Sequence, residues 1–168
     1  YGCLVGSEMC IRDSVNTSSL SLLPQEWSWD FESGSFGPEW TLSGTSNWNI
    51  QTSNVISGSQ TPQAGRISSN QETGITLDVS SIPAGDGTFE YQVSSESGFD
   101  YLVFCIDNPG CTRSSGYDNR WAGITSGTHT FTIPATAQTL TWKYTKDGSV
   151  NSGQDTAWID DIVITPTG

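Results

Sequence analysis

Residues 88–94, TFEYQVS, set Phe89, Tyr91 and Val93 on one side of the chain and Glu90 and Gln92 on the other. That period of two marks a half-buried strand, because successive side chains of an extended chain point to opposite faces. The same alternation runs through GITLDVS at 74–80, where Ile75, Leu77 and Val79 align. Between the two runs, Pro83-Ala84-Gly85-Asp86-Gly87 supplies turn residues, so the pair reads as a hairpin.

The pattern continues in both directions. Trp27, Trp29 and Phe31 share one face of a first strand, and Gly34 to Pro38 turn the chain toward Trp40 and Leu42. Downstream come DYLVFCID at 100–107, a segment around Trp121, and GTHTFTIP at 127–134 with His129, Phe131 and Ile133 aligned. QTLTWKYT at 138–145 groups Leu140, Trp142 and Tyr144, and TAWIDDIVIT at 156–165 forms the last strand. Helical spacing is missing throughout. Roughly eight to ten strands at a spacing of about 8 to 12 residues predict an all-β chain folded as a two-sheet antiparallel β-sandwich, a jelly roll. In such a fold the first and last strands are expected side by side.

Composition narrows the function. The 168 residues suit a single domain with a real core. Six Lys and Arg stand against 18 Asp and Glu, a net charge of -12, which repels nucleic acid. Acidic loops offer hard oxygen ligands instead, which suit Ca2+. Charged residues make up only 14% of a chain with seven Trp, five Tyr, one Met and one His, the profile of a secreted β-protein. No run of about 18 apolar residues is present, so membrane insertion is not expected. Leu20, Leu22 and Leu23 are too few for the apolar part of a signal peptide, and the chain reads as part of a longer exported protein.

The opening residues 1–14 have no clean period and resemble the peptide made when a sequencing adapter is translated in frame, as at the ends of metagenomic reading frames. A genuine tail, or a loop closed by Cys3 and Cys10, is the alternative. Residues 15–25 then read as a Ser-rich linker and residues 26–166 as the module.

Four stretches carry a family resemblance: DFESGSFGPEWTLSG at 30–44, SSESGFDYLVF at 94–104, GTHTFT at 127–132 and WKYTKDGSVNSGQDTAWIDDI at 142–162. Together they resemble a MAM-like jelly-roll module, related to the cleaved-adhesin domains of large secreted and surface proteins of marine and other bacteria. The fold is similar to that of concanavalin-like and galactose-binding-like sandwiches. An opening Phe-Glu with a closing Asp-Asp is also similar to calcium-stabilised carbohydrate-binding modules. The resemblance covers about residues 27 to 165 and implies an accessory binding or adhesion role. It also implies packing roles for Trp40 and Trp48. The family's hairpin carries no Cys pair where this chain has Cys105 and Cys111.

Those cysteines flank Ile106-Asp107-Asn108-Pro109-Gly110, a turn between two short strands, so a disulfide is geometrically reasonable and fits an oxidising compartment. Two buried thiols are the other reading.

The strongest chemical constellation is Asp30 and Glu32 near the end of the first strand with Asp160 and Asp161 in the last. Alternation puts Asp30 and Glu32 opposite Phe31, and gives Asp160 the face of Ile162 and Ile164. A carboxylate facing a core is costly unless paired, hydrogen-bonded or bound to metal, and only two Lys and four Arg are available. A structural Ca2+ joining the two strands, completed by backbone carbonyls of a loop such as Gly58 to Thr61, resolves the cost. Four solvated acids are the plain alternative. KDGSVNSGQD at 146–155 and ESGFD at 96–100 lack the EF-hand pattern, so they read as loops joined by Asx-type turns. A second ion near Asp100, Asp147 and Asp155 is the less favoured reading.

His129 is the single His and lies mid-strand, with no G-x-S-x-G elbow around any Ser, so nucleophilic triads and His/Cys zinc sites find no support. A jelly-roll glycosidase or lyase would need a carboxylate pair, for which Asp30 and Glu32 are the best available, but the Glu-x-Asp-x-x-Glu pattern common in such enzymes is missing. Binding then rests on aromatics and polar loops. Trp29, Trp142 and Trp158 alternate with core residues, which leaves Tyr117, Asp118, Asn119, Arg120 and Trp121 as the cluster expected to meet a ligand. A polysaccharide, a cell-surface glycan or a surface protein is the expected partner of a monomeric module. A core role for Trp121, and a spacer or protein-interaction role for the whole module, remain the competing readings.

Overall fold

Eleven strands make up residues 25–167, the part of the chain that the computed structural model describes, and no α-helix occurs among them. In order they are β1 (Trp27–Trp29), β2 (Trp40–Gly44), β3 (Asn49–Gln51), β4 (Thr61–Gln63), β5 (Glu72–Asp78) and β6 (Gly85–Ser94). They continue as β7 (Tyr101–Ile106), β8 (Asn119–Ala122), β9 (Ile124–Ile133), β10 (Thr139–Thr145) and β11 (Thr156–Pro166). The adapter-like stretch, Cys3, Cys10 and nearly all of the proposed linker lie outside the described residues.

The strands form an antiparallel sandwich, as the alternation predicts. One sheet runs β3-β4-β11-β6-β9 with β1 also paired to β11, and the other runs β2-β5-β10-β7-β8. First and last strands do lie side by side, with Trp27 opposite Ile164 and Trp29 opposite Ile162.

Between the sheets, Ile75, Leu77, Leu102, Phe104, Leu140 and Trp142 meet Phe89, Val93, Ile133, Ile159, Ile162 and Ile164, all effectively without solvent exposure. Phe89 sits centrally, its ring 4.9 Å from Phe104 and 5.4 Å from Trp142 between centroids. Gly87 makes room for this packing: a Cβ there would come within 2.3 Å of the Phe131 ring on the neighbouring strand.

Two sequence expectations are corrected. The runs at 74–80 and 88–94 do not form a hairpin: β5 pairs with β2 and β10, while β6 pairs with β11 and β9 in the other sheet. Their apolar faces meet across the core rather than lying side by side, and the connection buries Val79 and Ile82 as it passes between sheets. Asp160 does not share a face with Ile162 and Ile164. A bulge between Asp160 and Val163, with Asp161 at φ +47°, reverses the phase of β11. Ala157, Ile159, Ile162 and Ile164 belong to the core, whereas Trp158 and Asp160 are buried on the other face.

Candidate functional site

The two strands that flank one edge of β11 create the first site. β4 lies beside its first half, with Gln63 opposite Trp158, and β1 lies beside its second half. The seam between them falls at the bulge. Glu32, just beyond β1, accepts the N–H of Ser59 at 2.9 and 3.1 Å and that of Gln60 at 3.2 Å. Gln60 Nε2 returns a bond to Glu32 O at 3.0 Å. The loop holds Glu32 this closely because residue 58 is glycine, with φ +66°; a Cβ there would lie 2.5 Å from Glu32 Oε2. Next along the loop, the Thr61 hydroxyl donates to Asp160 Oδ2 at 2.6 Å, and Asp161 N–H donates to Asp160 Oδ1 at 2.9 Å.

Residues 58–61 therefore connect Glu32 to Asp160, but where backbone carbonyls are expected from the sequence, N–H groups face Glu32. Asp160 has no solvent exposure, and burial pushes its carboxyl up to about 6, against the hydrogen bonds from Thr61, Asp161 and Ser57. Asp30 is exposed and accepts Glu32 N–H at 3.1 Å in an Asx turn. Asp161 is half-buried and supplies the left-handed bulge residue.

A second candidate lies on the outer face of the five-stranded sheet. Cys105 and Cys111 form the expected disulfide, with Cα atoms 6.5 Å apart, although Cys111 sits in the loop after β7 and not in a strand. Lys143 Nζ donates to Cys111 O at 3.0 Å and pairs with Glu72 at 3.1 Å, fixing the loop over the sheet. Tyr117 packs on Val103, Cys105 and Cys111. The Arg120 guanidinium stands 4.2 Å from the centroid of Tyr101 and 4.8 Å from that of Tyr117. Asp118 accepts Ile106 N–H at 2.7 Å.

Trp121 follows Arg120 in β8 and so points the other way, against the rings of Tyr91, Phe89 and His129. Tyr117 and Arg120 thus come together, whereas Asp118 is turned to the Ile106 amide and Trp121 does not join them. Tyr101 does, although the sequence reading passed over it. Its signal lies in the pairing of Val103 with Arg120 and of Tyr101 with Ala122, which puts Tyr101 diagonal to Arg120 on the outer face.

The two Asp-bearing loops form a third cluster. Among the described residues, Glu96, Asp100 and Asp147 bring one carboxylate oxygen each within 4.8 Å of one another. This group could hold a metal ion. Nearby, buried Lys146 pairs with Asp155 and Asn151, and Tyr144 Oη donates to Asp155 at 2.8 Å. Asp147 accepts Ser149 N–H at 3.1 Å and its own N–H reaches Asp100 Oδ1 at 2.8 Å, the Asx-type joining that the sequence predicts.

His129 stands half-buried among Phe89, Phe104 and Trp121, and burial holds its imidazole below the usual histidine range. Such an aromatic setting favours the neutral ring.

Taken together, the sheet order and core define a jelly-roll β-sandwich of the kind found in bacterial adhesin and carbohydrate-binding domains. No protein-family model matches the chain, and no curated protein does. Among solved structures, the K1 cleaved adhesin domain of Lys-gingipain from Porphyromonas gingivalis aligns with a TM-score of 0.59 at 14% identity, covering 86% of this chain and 99% of that domain. The CBM22-1 xylan-binding domain of Xyn10C from Paenibacillus barcinonensis aligns at 0.54 and 16% identity, over 84% of this chain and 95% of that one. The secreted serine protease VesC of Vibrio cholerae aligns at 0.53 and 18% identity over 72% of this chain, but over only 24% of the protease. At such identities the likeness establishes the fold.

Proposed function

We propose that the chain is a non-catalytic extracellular binding module that takes a polysaccharide or cell-surface glycan on the outer face of its five-stranded sheet, with Ca2+ clasping β1 to β11. One observation carries the binding reading: Arg120 of β8 is held between the rings of Tyr101 of β7 and Tyr117, which packs on the disulfide in the connecting loop. A planar group with several donors, fixed in advance, meets sugar hydroxyls without losing side-chain freedom on binding. The tyrosine faces are occupied by the guanidinium, so hydroxyls and ring edges, rather than a stacked ring face, are what this surface offers. The fold agrees, since one structure that shares it is a xylan-binding domain and another a cleaved adhesin domain, though fold alone assigns no ligand. The disulfide supports an oxidising, extracellular setting.

Glu32 and Asp160 are the residues that would hold the calcium. The fit rests on Asp160, a fully buried carboxylate whose hydrogen-bond partners are a hydroxyl and backbone amides, none of them a cation. Bound there, Ca2+ would neutralise that charge and tie the 58–61 loop to the seam.

Affinity electrophoresis in gels containing a panel of soluble polysaccharides, xylan among them, tests the binding reading. The folded, calcium-loaded chain is expected to be retarded by at least one, and Arg120→Ala to weaken that retardation about tenfold, the cost of a charged hydrogen bond. Free migration in every gel overturns it, as does retardation that Arg120→Ala and Tyr117→Ala leave intact.

A further inference from the structure

We propose that the chain has a second Ca2+ site, separate from the seam at Asp160, where the loops β6–β7 and β10–β11 meet, with Glu96, Asp100 and Asp147 as ligands. The spacing suits one ion. Calcium takes oxygen ligands at about 2.3 to 2.6 Å, so two ligands on opposite sides of it stand about 4.6 to 5.2 Å apart. The three carboxylates offer oxygens within 4.8 Å of one another.

Burial supplies the second argument. Asp100 has no solvent exposure; its Oδ1 receives the Asp147 N–H, but its Oδ2 has no hydrogen-bond partner. Glu96 Oε1 is likewise shielded from solvent and unpartnered. Buried polar atoms are nearly always satisfied, and a buried carboxylate without a donor or a cation is among the costliest exceptions. Both open oxygens belong to the same cluster, as expected of ligand positions awaiting an ion.

Charge adds a third. Lys146 is the ammonium that lies near Glu96 and Asp100, and it is engaged by Asp155 and Asn151. Glu96, Asp100 and Asp147 therefore lack a bonded cation of their own. An all-oxygen set without His or Cys favours Ca2+ over the softer transition metals. In the metal-free chain a shared proton is the competing solution, since burial and mutual repulsion hold Glu96 and Asp100 above the usual carboxylate range.

Isothermal titration of the EDTA-stripped, re-buffered chain with CaCl2 at pH 7.5 separates the cases. Two equivalents are expected for the unaltered chain. Asp147→Asn, a change at a half-buried position, and Glu96→Gln should each remove one equivalent and leave the other, while Asp160→Asn removes the complementary one. Unchanged stoichiometry in Asp147→Asn and Glu96→Gln, with both variants folded by circular dichroism, overturns the second site and points to the shared proton. A single equivalent that Asp160→Asn leaves untouched and Asp147→Asn abolishes supports this site and overturns the clasp at Asp160. No uptake at all overturns both.

Discussion

Tyr91 of β6 and Trp121 of β8 stack with ring centroids 4.4 Å apart and planes 27° from parallel, one residue from each sheet. The contact closes one side of the sandwich over Phe89, whose ring lies 5.9 Å from that of Trp121. Trp121→Ala removes a large ring from both partners. A loss of about 3 kcal/mol in urea unfolding is expected, at the lower end for Trp truncation because the ring is only partly buried. A midpoint unmoved by the change would show that the two sheets do not depend on this contact. The same variant should leave glycan retardation intact, since Trp121 faces away from Arg120.

The proposed clasp predicts a calcium-dependent melting point. At about a thousand times its dissociation constant, Ca2+ binding only the folded chain adds roughly 4 kcal/mol, and EDTA should remove it. Asp160→Asn is expected to do two things at once. It raises the melting point of the metal-free chain by removing a buried charge, and it abolishes the gain from the ion at the seam. A metal-free variant less stable than the parent chain, measured by calorimetry in EDTA, contradicts the claim that this carboxylate is held at a cost.

Replacing both Cys105 and Cys111 by Ala releases a short loop, for which chain-entropy arguments give about 2 kcal/mol. The loop also positions Cys111 O on Lys143 Nζ, so the change should loosen Arg120 between its tyrosines. Weaker glycan retardation in a variant that stays folded is the expected result, and treatment with dithiothreitol should reproduce it.

Acidification tests the surroundings of His129. Because burial lowers its folded value below the unfolded one, near 6.5, the stability from its neutral ring is present above that value and is lost as pH falls through it toward the folded value. Asp160 works in the opposite sense across the same range, since its raised value favours the fold at low pH and withdraws that support as pH rises through about 6. Only the difference between the chain and His129→Gln isolates the imidazole. That difference should shrink between pH 7.5 and pH 5, and the ring should titrate below 6.5 by NMR.

The alternation of Phe89-x-Tyr91-x-Val93 and Ile75-x-Leu77-x-Val79 was enough to read strands and a sandwich, because burial on one face leaves its mark residue by residue. Which sheet each strand joins left no such mark, since a turn sequence such as Pro83-Ala84-Gly85 serves a hairpin or a crossing equally well. Glu32 and Asp160 stood in the sequence only within a set of four, with Asp30 and Asp161, picked out by their closeness to the first and last strands. The face of Asp160 was not legible, as nothing in Ile159-Asp160-Asp161-Ile162 announces a left-handed residue in a strand. Tyr101 escaped notice because its partner Arg120 is a neighbour only through the pairing of β7 with β8. Glu96, Asp100 and Asp147 were visible as acids, yet their convergence depends on two loops far apart in the chain.

The phase reversal at Asp161 sets the order in which the molecule should come apart. Residues before it carry Asp160 toward the 57–61 loop, and residues after it carry Ile162 and Ile164 into the core, so the two halves of one strand answer to different partners. If the seam holds the proposed ion, withdrawing it would let the loop and the short strand β4 open and close while the two sheets stay joined behind them. Amide exchange in EDTA should then quicken first at Ser59 and Gln60, with the amides of β10 slow to the end.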